Sequence, residues 1–157
     1  MADLLVKLYA LPPSAPLLEQ LRSKGVEIKR AIGPEKCVVA DWAAKNFSQA
    51  WGSECEVALC ARPSTCFLAV KNKIIIGFAC YDSTARGFFG PIGVEGTART
   101  SGIGKALLVR TLEAMREAGY GYAVIGWAGP VEFFRKAVGA TVIEGSEPGI
   151  YKDMVKA

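Results

Sequence analysis

The stretch over residues 94–108 constrains the fold most, because a glycine-rich turn there joins a predicted strand to a predicted helix. The apolar, aromatic run 88–94, FFGPIGV, has the composition of a β-strand. The segment after the turn has helical periodicity, and its apolar residues fall on one side. They are Ile103, Leu107, Leu108, Leu112 and Met115. The chain is therefore predicted to run from a strand through the turn into a helix N-terminus.

The turn has the features of a phosphate site. The first N–H groups of a helix have no internal partner and carry the positive end of the helix dipole. Gly102 and Gly104 remove side chains that would keep a ligand off the backbone, and Arg99 and Lys105 add positive charge. We therefore expect a phosphate or a pyrophosphate here. The plain alternative is a glycine-rich turn with no ligand.

Two common phosphate-binding motifs do not match this turn. A P-loop requires Gly where the chain has Arg99, and Ser or Thr where it has Ala106. A dinucleotide fingerprint requires a third Gly where the chain has Leu107. The pattern that remains is Arg-x-x-Gly-x-Gly over residues 99–104, placed after a strand and at the start of a helix.

Composition limits the class of protein. A chain of 157 residues suits one domain with a full core, and 51% hydrophobic residues argue against disorder. The net charge of +4 includes no basic cluster along one element, so nucleic-acid binding is not indicated. Apolar runs such as 74–80 are too short to span a bilayer. With no targeting segment recognised, we expect a cytoplasmic protein without membrane partners.

The sequence gives no sign of a metal site. It has no His, and its five Cys contain no Cys-x-x-Cys pair, although zinc sites favour such spacing. The thiols are expected to be free and mostly buried. Without His, a Ser–His or Cys–His catalytic pair is excluded as well.

Patterning along the chain predicts an α/β protein. Residues 1–25 form a strand–helix extension, expected to add an edge strand to the main sheet, and residues 26–157 form a single globular unit. In that unit a strand and two helices precede three strands, and the pattern then continues as helix, strand, helix and two short strands over 140–144 and 150–154. The second helix is expected to begin at Ser53, where Ser-x-x-Glu has the spacing of a capping box. Gly90, Pro91 and Gly93 within the third strand indicate either an edge strand or a bulge that leaves backbone free for a ligand.

Two motifs and the element order resemble one family. The strand, turn and helix over 88–108 resemble the acetyl-CoA loop of the GNAT superfamily of N-acetyltransferases. The segment 133–140, FFRKAVGA, is similar to the family's helix near the C-terminus, which commonly reads Phe-Tyr-x-Lys and soon Gly. The element order from Val26 onward agrees along about five-sixths of the chain.

The resemblance implies a fold and an activity. The fold is α/β (α+β), with a mixed, mostly antiparallel central sheet, helices on both faces, a β-bulge and a splayed strand pair. The activity is acetyl transfer from acetyl-CoA to a small-molecule or peptide amine, directly within a ternary complex and without metal.

The resemblance also implies the residues that hold coenzyme A. The strands over 88–94 and 122–126 part and admit the pantetheine arm, which Ile92 and Val94 contact through the main chain. A backbone N–H near Val94 acts as oxyanion donor. The pyrophosphate lies against the loop formed by Arg99, Thr100, Ser101, Gly102, Ile103, Gly104 and Lys105.

Two departures from the family concern proton transfer. Phe134 stands where the family often has a Tyr that protonates the thiolate, and the third strand carries no carboxylate before Glu95, itself expected to be a solvated turn residue. Tyr122 is the candidate acid, with Tyr151 and water as alternatives. These departures also motivate a second hypothesis, a non-catalytic acyl-CoA-binding or regulatory module.

The resemblance also implies that the acceptor meets the first two helices of the main unit and the final hairpin. Trp51, Glu54, Glu56 and Tyr81 are the candidate acceptor-site residues. Because residues two apart on a helix do not share a face, at most one Glu should face a cleft; Glu54 is the candidate base. The alternative is a surface Glu with no role and Trp51 as core. The acceptor stays open, as does a homodimer formed through an exposed N-terminal strand.

Overall fold

The computed structural model describes residues 1–99 and 101–156, which form a seven-stranded sheet and five α-helices. The strands are β1 (Leu4–Lys7), β2 (Val26–Arg30), β3 (Cys66–Lys71), β4 (Ile74–Tyr81), β5 (Phe88–Val94), β6 (Tyr122–Ile125) and β7 (Thr141–Val142). The helices are α1 (Ala15–Arg22), α2 (Lys36–Asn46), α3 (Gln49–Cys60), α4 (Ile103–Glu117) and α5 (Val131–Val138). The strand order is β2-β3-β4-β5-β6-β1-β7.

The sheet is mixed and mostly antiparallel, as predicted. Only β5 and β6 pair in parallel among the described strands, and every other ladder is antiparallel. One face is covered by α1, α4 and α5 around buried residues such as Leu107 and Leu112. The other face is covered by α2 and α3 around Val39, Cys55 and Leu59. Two separate hydrophobic clusters therefore hold helices on both faces of one sheet.

The N-terminal strand does not lie at an edge, so that expectation is wrong. Strand β1 pairs with β6 on one side and with β7 on the other. Leu4 and Val6 are fully buried, which accounts for the interior position of this strand. Because β1 is flanked on both sides, it does not offer the exposed strand on which the homodimer hypothesis rested.

Two other boundaries differ from the sequence expectations. Helix α3 begins at Gln49 rather than Ser53, because the Ser48 hydroxyl accepts a hydrogen bond from the Trp51 N–H at 3.2 Å and caps the helix one turn earlier. The expected final strand over 150–154 is absent from the described residues. The chain there forms a short 3-10 helix, Gly149–Tyr151, directly after Pro148. Because proline has no N–H to donate to a β-ladder, it disfavours a continuous strand at this point.

Helices α2 and α3 are packed in close contact. A Cβ at Gly52 would lie 2.9 Å from the Ala44 Cβ and 3.0 Å from the Ala40 carbonyl oxygen. Neither atom belongs to a flexible side-chain end, so this approach fixes α3 against α2. Trp51 and Glu54, one residue before and two residues after Gly52, are thereby held in a defined position.

Other expectations concern cysteines, metals and membranes. Cys55, Cys66 and Cys80 are buried free thiols, whereas Cys37 and Cys60 are exposed. Among the residues described, no group of three or more His, Cys, Asp or Glu is arranged to hold a metal ion. None of the described helices combines the length and hydrophobicity required to cross a bilayer.

Candidate active site

Strands β5 and β6 part along the chain. Their parallel ladder consists of only two pairs, Phe88 with Val124 and Phe89 with Ile125. Beyond these pairs β5 continues to Val94, whereas β6 ends at Ile125. A gap therefore opens in the middle of the sheet at the C-terminal end of β6.

A bulge in β5 contributes to this separation. Between the pairs Ala79–Ile92 and Tyr81–Phe89, two residues of β5, Gly90 and Pro91, face one residue of β4. Two residues opposite one is the geometry of a β-bulge, which bends and twists its strand. Gly90 has φ +125°, a conformation that side chains disfavour, and a Cβ there would meet nothing within 4 Å. The glycine is therefore required by backbone conformation, and the space beside it is open.

The register of β5 directs two sets of backbone groups into the gap. The Glu95 N–H donates to the Ile76 carbonyl of the β4 side at 2.9 Å. Because antiparallel strands alternate bonded and non-bonded pairs, the backbone groups of Val94 and Ile92 point away from β4. The Val94 carbonyl accepts a hydrogen bond from Arg99 Nε at 3.2 Å. Its N–H is directed into the gap, where the sequence prediction placed an oxyanion donor.

The N-terminus of α4 is not capped by any described side chain. Gly102 occupies the N-cap position with φ +84°, and a Cβ there would meet nothing within 4 Å. The first helical bond runs from the Ala106 N–H to the Gly102 carbonyl at 3.1 Å. Within the part of the chain that the structure describes, no atom accepts from the amides of Ile103, Gly104 or Lys105. An anion beside these amides would meet the positive end of the helix dipole.

The remaining loop residues differ in their placement. Thr100, which the sequence assigned to the pyrophosphate site, lies outside the described residues. The Ser101 hydroxyl donates to the Ala98 carbonyl at 2.5 Å, so it stabilises the turn. The Arg99 and Lys105 side chains are exposed and bring two positive charges to the loop.

A cleft of about 950 Å³ follows the gap through the sheet. Residues from Gly90 to Val94 line one side of the cleft, and Arg99 lies at the end nearest the N-terminus of α4. Phe134 of α5 lines it from the α4 and α5 face. Its size and mainly apolar lining are typical of a ligand site.

Glu54 lies on the opposite face of the cleft, where α2 and α3 pack. Its carboxylate accepts a hydrogen bond from the Thr84 hydroxyl. Burial raises the pKa of Glu54 above that of an ordinary carboxyl, and the Thr84 hydrogen bond opposes this effect. A carboxylate with a raised pKa in a cleft is suited to accept a proton near neutral pH. The Glu56 side chain, in contrast, is exposed on another face of α3.

Tyr151 approaches the same place from the C-terminal segment. Its hydroxyl occupies the position that a side chain at Gly126 would fill, so Gly126 is required for its approach. Burial, with the negative charges of Asp3 and Glu54, raises the pKa of Tyr151 to about 12, and a hydrogen bond with Thr84 acts in the opposite direction. Thr84 therefore lies between Glu54 and Tyr151, and the phenol stays protonated at neutral pH.

The N-terminal segment supports this wall of the cleft. The buried Asp3 carboxylate accepts a hydrogen bond from the Trp127 N–H at 2.8 Å, and its carbonyl accepts from the Ile143 N–H at 2.9 Å. The Trp127 ring stacks on Tyr151 with centroids 5.0 Å apart and an interplanar angle of 16°. Residues before β1 thus hold Trp127, which in turn positions Tyr151.

Not every candidate residue lies in the cleft. Tyr122 is 52% exposed at the start of β6, with its ring 5.7 Å from that of Tyr9, and does not line the cleft. Tyr81 is buried in the core, and its hydroxyl accepts a hydrogen bond from Arg30 Nη1 at 3.3 Å. Trp51 lines the cleft while its ring packs on Phe47 at 5.0 Å. Of these candidates, Trp51 and Glu54 therefore line the cleft, whereas Tyr122 and Tyr81 do not.

Three residues of the site were missed from the sequence. Thr84 follows β4 in a polar loop, and nothing in its surroundings marks it as a partner of Glu54. Trp127 and Asp3 meet only because β1 pairs with β6. The one sequence feature that could have indicated a role for Asp3 is that an acidic residue stands immediately before an apolar strand.

Sequence comparison identifies the family. The model of the acetyltransferase (GNAT) family matches residues 38–139, about two thirds of the chain. The protein belongs to the GNAT family, whose members are described as acetyltransferases. No curated protein matches the chain closely enough to narrow that activity.

Solved structures show the same fold. A GCN5-related N-acetyltransferase from Sphaerobacter thermophilus superposes with a TM-score of 0.70 at 21% identity, over 90% of this chain and 48% of that one. The glucosamine N-acetyltransferase region of a fungal multi-domain GH3 β-N-acetylglucosaminidase superposes with a TM-score of 0.72 at 14% identity, over 90% of this chain and 19% of that one. The protein therefore spans less than half the length of either structure. At these identities the likeness concerns the fold alone.

Proposed function

We propose that this protein transfers the acetyl group of acetyl-CoA to an amine, directly within a ternary complex. The observation that carries the proposal is the gap between β5 and β6. Main-chain groups of Ile92 and Val94 face this gap, and it leads to the uncapped N-terminus of α4. A substrate with an extended arm that ends in a diphosphate fits such a path.

The residues present fit coenzyme A. The open space beside Gly102 leaves room for a diphosphate against the amides that follow it. Exposed Arg99 and Lys105 add charge complementary to that group. The pantetheine arm, which carries amides of its own, would pair with Ile92 and Val94 as an added strand does.

The chain's own groups would carry out the proton transfers. Acetyl-CoA supplies an acetyl group activated as a thioester. The Val94 N–H would donate to the negative charge that develops on the thioester oxygen. Glu54 would accept the proton that the attacking amine loses as its C–N bond forms. Tyr151 would donate a proton to the sulfur as the C–S bond breaks, in the role that Phe134 cannot fill.

A second candidate function rests on Phe134. Its ring is buried against Phe89, with centroids 6.4 Å apart, and has no proton to donate. A non-catalytic acyl-CoA-binding module would have no need of a donor there. The two functions are separated by incubation with acetyl-CoA and a broad panel of amines, with products detected by mass. An acetylated amine that forms only with the protein excludes the non-catalytic module.

Acetyl-CoA should raise the melting temperature of the protein, and Gly104→Glu should abolish that rise. A ligand at about 100 times its Kd shifts the melting temperature of a domain of this size by about 5–10 °C. A Cβ at Gly104 would make only ordinary contacts, 3.6 Å from Phe133 and 3.7 Å from Val94, so the backbone need not move. The added carboxylate would repel the diphosphate. Differential scanning fluorimetry measures both effects.

The matched control is Gly121→Glu. It adds the same charge at an exposed position where a Cβ would meet nothing within 4 Å. This variant should keep the wild-type rise with acetyl-CoA. If wild-type protein shows no rise at millimolar acetyl-CoA, or if both variants respond alike, the loop is not the diphosphate site.

A further inference from the structure

The acceptor half of the cleft is lined on two sides by aromatic rings. On the α2 and α3 side, Phe47 and Trp51 pack with centroids 5.0 Å apart. On the C-terminal side, Trp127 stacks on Tyr151, also with centroids 5.0 Å apart. We call these two pairs the aromatic walls. Glu54 and Thr84 lie between them.

The aromatic walls expose apolar surface to the cleft. Trp127 is 42% exposed although its amide is fixed by Asp3. Beside Tyr151 the side chains of Ile150 and Met154 are 56% and 50% exposed and line the same cleft. Contiguous exposed apolar surface within a concave site is typical of contact with an apolar ligand.

The charge of this half limits the number of cationic groups in the acceptor. Glu54 is the one acidic side chain among the described residues that line the cleft. A polyamine would place further ammonium groups against apolar rings without carboxylates, and each desolvated charge without a partner is costly. One ammonium beside Glu54 is matched by one carboxylate and by the faces of neighbouring rings.

Five hydroxyl side chains of the described residues line the cleft, those of Ser48, Ser53, Ser83, Thr84 and Tyr151, and two of them already form hydrogen bonds within the protein. The Ser48 hydroxyl accepts from the Trp51 N–H, and the Thr84 hydroxyl donates to Glu54. The Ser83 hydroxyl is buried and forms no hydrogen bond with the residues described. An aminosugar carries several hydroxyls that need partners, and leaving them unpaired in an apolar site disfavours binding.

We infer that the acceptor is a primary amine with a single positive charge on an aromatic or aliphatic body, rather than a polyamine or an aminosugar. This inference rests on the proposed function. The ammonium lies at Glu54, and the body lies between the aromatic walls. Before transfer the ammonium releases one proton to solvent and becomes a neutral amine with a free lone pair. Its nitrogen then forms a bond with the acetyl carbon while the bond to sulfur breaks. The sulfur takes a proton from Tyr151, and the second amine proton passes to Glu54.

A comparison of three amines tests this assignment. The probes are 2-phenylethylamine, spermidine and glucosamine, each with acetyl-CoA, and the acetylated product is measured by mass to give kcat/KM. We expect kcat/KM for 2-phenylethylamine to exceed the other two values by at least about tenfold, the scale of ring contacts in a desolvated site. Equal or higher kcat/KM for spermidine or glucosamine would overturn the inference and leave acetyl transfer intact.

Variants of the aromatic walls provide the second arm. Trp127→Ala and Trp51→Ala should each lower kcat/KM for 2-phenylethylamine about tenfold. The loss should come from a higher KM, with kcat unchanged. Trp127 is partly exposed, so its loss removes little of the core. The control is Tyr9→Ala, which removes a 63% exposed ring outside the cleft and should leave kcat/KM unchanged. Wild-type values in both wall variants would contradict the assignment.

Calorimetry separates failure of the inference from failure of the proposed function. CoA alone is titrated first, and each amine is then titrated into the CoA complex. If CoA does not bind, the proposed function fails. If CoA binds and 2-phenylethylamine does not bind at millimolar concentration, the inference fails even where no amine is turned over.

Discussion

Glu54→Gln is expected to lower kcat/KM for amine acetylation by about 10²- to 10⁴-fold, the range that general bases contribute. Gln keeps the shape of the side chain and an oxygen that can accept from Thr84, so the hydrogen bond in the cleft is retained. What the variant loses is the ability to take a proton from the acceptor amine. Acetyl-CoA binding should be unchanged, because Glu54 lies on the opposite face from the α4 loop.

The pH profile distinguishes this role from a structural one. In wild-type protein kcat/KM should rise with pH as Glu54 loses its proton, and burial moves this rise above the ordinary range of a carboxyl because it raises the pKa of Glu54. In Glu54→Gln that limb should disappear. The rate should then recover only at high pH, where more of the amine is neutral. Stopped assays with mass detection measure both profiles. A range of about pH 5 to 10 covers the titration of a general base and of the amine.

Glu56→Gln is the matched control for this variant. Glu56 lies two residues further along α3 and is exposed, so the same chemical change occurs outside the cleft. Its kcat/KM and pH profile should match those of wild-type protein. A Glu54→Gln enzyme with wild-type kcat/KM at pH 7 would show that another group accepts the proton.

Tyr151→Phe should lower kcat by about 10²-fold or more, with little change in KM for acetyl-CoA. Phe keeps the stacking on Trp127 and removes only the hydroxyl that lies at Gly126. Because burial and nearby negative charge raise the pKa of Tyr151 to about 12, the phenol carries its proton throughout the assay range. The wild-type rate should therefore show no fall from Tyr151 deprotonation below pH 10, well under that pKa.

Tyr122→Phe is the control for the acid. It removes the same hydroxyl from a side chain that is exposed and lies outside the cleft. Its kcat should equal that of wild-type protein. A large loss in Tyr122→Phe together with normal activity in Tyr151→Phe would return the acid role to the residue first indicated by the sequence.

Local sequence signals predicted the bulge and the helix start of the proposed coenzyme A half of the site. The start of α4 depends on a glycine that the backbone needs, since Gly102 has φ +84°. The bulge in β5 follows from Gly90 and Pro91, which disfavour a regular ladder wherever they occur. Such features depend on a few adjacent residues, so a single sequence is enough to indicate them.

The acceptor half depends on contacts between distant segments. Glu54, Thr84 and Tyr151 come from α3, a loop and the C-terminal segment, and no local pattern links them. Tyr122 was misplaced because the gap opens only beyond Ile125, three residues later. At about 3.3 Å per residue this separates Tyr122 from the opening by about 10 Å. The interior position of β1 is likewise set by long-range pairing with β6 and β7.

The most direct test of the central claim is a crystal structure of the protein with CoA. We expect the pantetheine arm to lie between β5 and β6, hydrogen-bonded to main-chain groups of Ile92 and Val94. The diphosphate should contact the amides of Ile103, Gly104 and Lys105. A structure with CoA bound elsewhere, or with β5 and β6 paired along their whole length and those amides bonded to the protein's own side chains, would contradict the account.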